Sequence, residues 1–351
     1  MRITLSSFLT LSSFTISIIA SPSVEYQHHC HHHHHYHHYH HHQRVKGKVF
    51  DHFLQVWFEN QDFELVSELP AWKTLAKEGI LLDSYSALTH PSEPNYVAAA
   101  GGSTFGITND DYYNIPKNIS TIYDLLEKKG LTWKVYQEDI PSVGYPGYKI
   151  GQYVRKHNPA IIFDSIAQDP ARAKFVVPGI ELDIDIAANT LPNWMFYTPN
   201  MLNDGHDTNT TYAGDWLTGF YQSTLSKPNL SNKTLILITF DENHTKPIRN
   251  RVWSLLLGAI PDHLKGTNDS TYYTHYSTLH TVEQNWDLGS LGRGDANKTD
   301  NNVFDFVAKK IGYKNTVVPV DQIPLYNSSI PGLLTGKSFN QTHPKGGIPP
   351  P

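Results

Sequence analysis

Cysteine is almost absent from this 351-residue chain: Cys30 is the only one, so no internal disulfide framework can hold it together. An excess of positive charge is missing as well. The formal net charge is −5, which gives no reason to expect nucleic acid as a partner. No stretch beyond the N-terminus approaches 18 uninterrupted apolar residues, so no membrane span is expected. Hydrophobic residues make up 39% of the chain and aromatics 12%, enough to bury a core and to exclude general disorder.

Arg2 followed by the uncharged "ITLSSFLTLSSFTISIIA" reads as a secretory signal over residues 1–20, which implies a secreted, extracellular or cell-wall protein. Nine Asn-x-Ser/Thr sequons begin at Asn118, Asn209, Asn229, Asn232, Asn243, Asn268, Asn297, Asn327 and Asn340. Behind a signal peptide they imply N-linked glycans. Residues 21–47 hold "HHCHHHHHYHHYHHH", a low-complexity tract that can capture metal loosely or serve only as a spacer. Residues 316–351 are rich in Pro, Gly and Asn and read as an irregular tail, leaving a folded domain at 48–315.

Within that domain strand-like and helix-like segments alternate. "FLQVWF" (53–58), "LTWKVYQ", "NWMFYTP", "TLILITF" (234–240) and "RVWSLLLGAI" read as strands. "AWKTLAKEG", "STIYDLLEKKG", "YAGDWLTGFYQSTL", "STLHTVEQNW" and "NVFDFVAKKIG" read as helices. Continuous apolar strands between helices predict an α/β fold with a mostly parallel central sheet and helices on both faces.

Ligands of such sheets collect beyond the carboxyl ends of strands. Glu59-Asn60 follows "FLQVWF" and Asp241-Glu242 follows "TLILITF". Their four oxygen donors suit one hard divalent cation, Ca²⁺, Mg²⁺ or Mn²⁺; either pair taken alone reads first as a helix cap. In "THPSEPNYVAAAGG" Pro94 belongs in a first helical turn, Asn95 to Ala100 continue it, and Gly101-Gly102 stops it. Ser92 then lies just ahead of that helix, where taken alone it would be a cap. His206 sits in "NMLNDGHDT" between Asp204 and Asp207, and His275 stands before a helix in "YYTHYSTLHTVEQNW". A phosphate needs cationic donors around its oxygens, and each His alone reads as a structural loop histidine.

Taken together, "FEN" at 58–60, "HPSEPNY" at 90–96, "NDGHD" at 203–207, "TFDEN" at 239–243 and "YTHYSTLHTVEQNW" at 273–286 resemble one family in both content and order. It is the acid phosphatase and phospholipase C-type phosphoesterase family, of alkaline phosphatase-like fold, and the likeness is greatest to secreted fungal acid phosphatases. The resemblance runs from about Phe53 to Gly312. It implies that Ser92 is the nucleophile, that Asn95 holds a phosphoryl oxygen, and that His206 and His275 bind the phosphate. It further implies that Asp207 supports them and that Glu59, Asn60, Asp241 and Glu242 bind the metal. The expected activity is metal-dependent hydrolysis of phosphate monoesters through a phosphoserine. Two alternatives are a phospholipase C-type phosphodiesterase and, from another class, a metal-buffering secreted protein whose His tract is the active part. A glycan on Asn243 would crowd the metal, so that sequon is expected to be unused.

Overall fold

The computed structural model describes residues 45–337, so the expected signal peptide, the His tract and the Asn340 sequon lie outside the described residues. The central sheet has eight strands: β1 His52–Phe58, β2 Ile80–Leu82, β3 Trp133–Gln137, β4 Val176–Pro178, β5 Trp194–Thr198, β6 Thr234–Phe240, β7 Leu255–Gly258 and β8 Thr267–Asp269. They lie in the order β8-β2-β7-β6-β1-β5-β3-β4. Most pairs are parallel, including β1 with β5 and β6, whereas β7 runs antiparallel to both β6 and β2. "RVWSLLLGAI" therefore contributes a short antiparallel strand to an otherwise mostly parallel sheet.

Every residue of β1 and β6 is buried. Adjacent β1 residues show why such strands carry apolar side chains on both faces, because successive side chains point to opposite faces. Trp57 packs on Tyr96 and stacks on His275, whereas Phe58 packs edge-on against Trp72 and Trp216. One face is thus covered by helices α1 (Ser92–Gly101) and α3 (His275–Trp286). The other is covered by Pro70–Ala76 and by α2, Thr210–Phe220.

Helix α1 begins earlier than the sequence suggests, with Ser92 inside it rather than ahead of it. Pro91 occupies the N-cap and Ser92 is the first helical residue. Pro94 falls in the first turn, where its missing N–H costs nothing. At the other end Gly102, with φ 67°, closes the helix by donating its N–H to the Ala98 carbonyl.

From Thr316 to Lys337 regular structure is limited to one 3₁₀ turn at Val320–Gln322. The segment is nonetheless pinned to the domain. Asn250 N–H donates to the Leu325 carbonyl, the Tyr326 hydroxyl to Asp300, and buried Leu334 bonds the Phe105 carbonyl.

Candidate active site

The β1–β6 register builds the centre of the site. Phe58 lies opposite Phe240, so the chains leave the sheet with Glu59 beside Asp241 and Asn60 beside Glu242. Asp241 N–H donates to the Phe58 carbonyl and holds the two ends together. Asn60 turns the chain at φ 35°, a left-handed conformation that asparagine tolerates. Its amide lies 3.1 Å from both Asp241 Oδ1 and Glu242 Oε1. With nitrogen turned inward it bridges the two carboxylates; with oxygen inward the three oxygens form a hard donor set.

Ser92 arrives from the start of α1. Its side chain caps nothing: Oγ donates to Glu59 Oε2 at 3.0 Å. The other Glu59 oxygen accepts from the Tyr96 hydroxyl, one turn along α1, at 2.6 Å. The capping reading of Ser92 is thereby excluded, and the hydroxyl sits among the strand-end carboxylates.

A third component comes from two loops that sequence reading underused. The 3₁₀ turn Arg155–His157 places His157 Nε2 3.2 Å from Glu59 Oε1 and Nδ1 3.4 Å from Asp204 Oδ2. Glu59, His157 and Asp204 are the group among the described residues whose ligand atoms converge closely enough to share a metal ion. Asp204, noted in the sequence only as a neighbour of His206, is fully buried after β5, and its backbone carbonyl accepts the Glu59 N–H. Lys156 pairs with Asp110 at 2.9 Å and reaches His206 Nε2 at 3.4 Å. The available signal was "RKHNPA", a run of three basic residues stopped by Asn-Pro in a chain of net negative charge.

The remaining expected residues divide. His206 is partly exposed, and its Nδ1 is held 2.8 Å from Asp207 Oδ1 while Nε2 faces Lys156. His275 is not at the mouth. It is fully buried, its Nε2 lies 2.7 Å from the Asp241 carbonyl, its Nδ1 is 3.2 Å from the Tyr85 hydroxyl, and its ring stacks on Trp57. Both nitrogens are engaged, so a direct clamp on phosphate is corrected to support of the Asp241 backbone. Asn95 is likewise corrected. Its oxygen accepts from the Leu88 and Thr89 N–H groups and its nitrogen donates to the Thr89 and Pro91 carbonyls, which leaves nothing for a phosphoryl oxygen. It holds the loop that delivers Ser92. His90, just ahead of Ser92, points its Nδ1 to within 2.8 Å of Glu242 Oε2, off the line of a hydrogen bond.

Charge is poorly balanced here. Burial pushes the Glu59, Asp204 and Asp241 carboxyls well above their ordinary range, reinforced by Asp241 at Glu59 and Asp204 and by Glu242 at Asp241. Burial raises Glu242 to about 9. Burial and Lys156 lower His157 and His206, and burial alone takes His275 down to about 3. Several buried atoms also make no well-formed hydrogen bond, although charged neighbours lie close: Glu242 Oε2, Asp204 Oδ2, His157 Nε2 and both His90 nitrogens. Poorly bonded, mutually repelling oxygen donors beside a neutral histidine fit a bound divalent cation.

Strand-end carboxylates, a serine at a helix start and flanking histidines define a hydrolytic enzyme. A sequence model of the Phosphoesterase family matches residues 10–289, and the chain belongs to that family. It is 45% identical over 302 residues to the phosphate-repressible acid phosphatase of Penicillium chrysogenum, covering 84% of this chain and 72% of the relative. To an acid phosphatase of Aspergillus fumigatus it is 43% identical over 308 residues, covering 86% and 68%. Among solved structures, a protein from glycosaminoglycan metabolism of Bacteroides thetaiotaomicron shares the fold, with a TM-score of 0.50, 10% identity and coverage of 78% of this chain and 83% of that one.

Proposed function

We propose that the chain is a metal-dependent acid phosphatase that hydrolyses phosphate monoesters through a phosphoserine at Ser92. The observation that carries this reading is the 3.0 Å hydrogen bond from Ser92 Oγ to Glu59 Oε2 inside the carboxylate cluster. The kinship with acid phosphatases over most of the chain supports the substrate class.

Glu59, Asn60, Asp241 and Glu242 would hold the cation, with His157 and Asp204 available on the far side of Glu59. When bound, such an ion stabilises the serine alkoxide and the charge that develops on the phosphoryl oxygens. The protein's own groups do the rest. The Ser92 proton leaves towards Glu59 Oε2 as Oγ attacks phosphorus in line. The positive end of α1 lies at the attacking oxygen. Lys156, held by Asp110, offers a fixed positive charge for a phosphoryl oxygen. His206, oriented by Asp207, can give its proton to the leaving oxygen. Because burial and Lys156 lower its pKa, the cationic form of His206 is populated on the acid side, and turnover that needs it falls as pH rises.

The test compares a phosphomonoester with a choline phosphodiester, with and without chelator. The reading requires monoester hydrolysis that chelation abolishes and a divalent ion restores. Preferential diester hydrolysis would favour the phosphodiesterase alternative. Deleting residues 28–42 must leave hydrolysis intact; a metal-buffering protein would lose its only function.

A further inference from the structure

Next to the candidate site lies a cavity of about 250 Å³, lined by Asp110, Tyr148, Lys149, Val154, Lys156, Met201 and His206. Two of its residues, Lys156 and His206, belong to the phosphate-binding end described above, so the cavity opens directly beyond the reacting group. A continuous path of contacts leads there from the serine: Ser92 to Glu59 at 3.0 Å, Glu59 to His157 at 3.2 Å, and His157 to His206 with ring centres 6.0 Å apart. The far wall is a two-stranded ribbon, Lys149–Ile150 against Tyr153–Val154. It is fastened at both ends. Arg155 N–H donates to the Tyr148 carbonyl, and Met201 N–H, from the loop that carries His206, donates to the Gln152 carbonyl.

The two lysines of this cavity differ in what they have left to offer. Lys156 is paired with Asp110 at 2.9 Å, and its side chain is largely buried. Lys149 is exposed on the ribbon and makes no ion pair among the described residues. It lines the same cavity as Lys156 and His206. An unspent ammonium on a fastened wall, across a small cavity from the phosphate-binding end, suits a leaving group that bears its own negative charge. Apolar Val154 and Met201 suit that group's carbon skeleton. The volume falls below the usual range of about 300–1,000 Å³ for drug-sized ligands, so the leaving alcohol is small.

Resting on the phosphomonoesterase reading, we infer that this cavity is the leaving-group subsite and that Lys149 selects small phosphomonoesters whose alcohol carries a second anionic group. A carboxylate and a second phosphate share that chemistry, and two substrate pairs separate them: 3-phosphoglycerate against glycerol 3-phosphate, and fructose 1,6-bisphosphate against fructose 6-phosphate.

In each pair the reacting phosphate stays on a primary alcohol while the remote charge changes. Wild-type kcat/KM is expected to favour at least one of the two more anionic substrates by about threefold to tenfold, with the preference shrinking as salt is added. Lys149→Met removes that preference through KM and leaves glycerol 3-phosphate and fructose 6-phosphate within about twofold of wild type. Lys149→Arg retains it. A wild type that favours neither anionic substrate overturns the inference while leaving the phosphatase reading standing. So does a Lys149→Met variant that keeps the preference or slows all four substrates equally. Failure to hydrolyse any of the four overturns both.

Discussion

Asp241 condenses the tension at this site into one residue. Its carboxyl is wholly buried, lies beside Glu242, and is raised far above the carboxylate range chiefly by desolvation. Without a cation such a group destabilises the fold; on the proposed function, a cation would turn it into a ligand. Asp241→Asn should therefore act in opposite directions on stability and function. In chelator the variant should melt at or above the wild-type temperature, while in the presence of metal it should lose most turnover and much of its metal affinity. Melting curves with and without chelator, alongside metal titrations, read both effects. A variant that is less stable in chelator yet fully active would show that Asp241 serves only the fold. The same residue scale shows where sequence reading ran short. The meeting of Glu59, Asn60, Ser92, Asp241 and Glu242 was legible because each follows a strand or opens a helix, positions that chain order reveals. His157 was not, because it lies in a loop whose approach to Glu59 depends on how residues 139–157 fold back across the strand ends. His275 and Asn95 stood in the matching motifs, and only geometry showed that their polar atoms are already bonded within the protein, Asn95 to backbone and His275 to the Asp241 carbonyl and the Tyr85 hydroxyl.

Among the elements, α3 carries a second buried acid, remote in function from the strand ends. Glu283 is buried, and burial together with Asp295 raises its carboxyl to about 9, against smaller opposing effects of the Leu291 N–H and Arg293. His280, one turn earlier, approaches it at 3.3 Å. The folded chain thus holds a proton here that the unfolded chain releases near the ordinary glutamate value of about 4.3. A raised carboxyl favours folding fully below the unfolded pKa, and that contribution is lost as pH climbs towards the folded one. Stability should decline between about pH 4.5 and pH 9 on this account, and Glu283→Gln should flatten the decline. Chemical denaturation of both proteins at pH 5 and pH 8 checks it: the variant must gain on wild type at pH 8. An unchanged difference at the two pH values would mean that Glu283 ionises normally. This coupling was invisible in sequence, since Asp295 reaches Glu283 only through the turn after α3. The strands were more readable than the helix starts. "TLILITF" matches β6 residue for residue, because two-sided burial writes itself as an unbroken apolar run, whereas α1 began at Ser92 because Pro91 could serve as its cap.

For the whole molecule, a mostly parallel sheet with both faces covered places every strand-end donor on one edge, which is why five short motifs far apart in sequence converge. The same architecture sorts the sequons. Asn118, Asn209, Asn229, Asn232, Asn268, Asn297 and Asn327 are exposed, whereas Asn243 is buried and its amide donates to Asp62 and to the Thr245 carbonyl. Glycopeptide mapping of protein made by a eukaryotic secretory host should find Asn243 unmodified; a glycan there in active enzyme would contradict the packing of the 243–245 loop. The central claim is covalent catalysis by Ser92, and one measurement reaches it directly. Enzyme mixed with a phosphomonoester is quenched in acid during turnover, digested, and its phosphorylated peptide sequenced by mass spectrometry. The account predicts phosphate on Ser92 of the "THPSEPNY" segment, and none in a Ser92→Ala protein whose turnover has fallen by about a thousandfold or more. Phosphate on another residue, or a Ser92→Ala protein that still turns over at the wild-type rate, would contradict it.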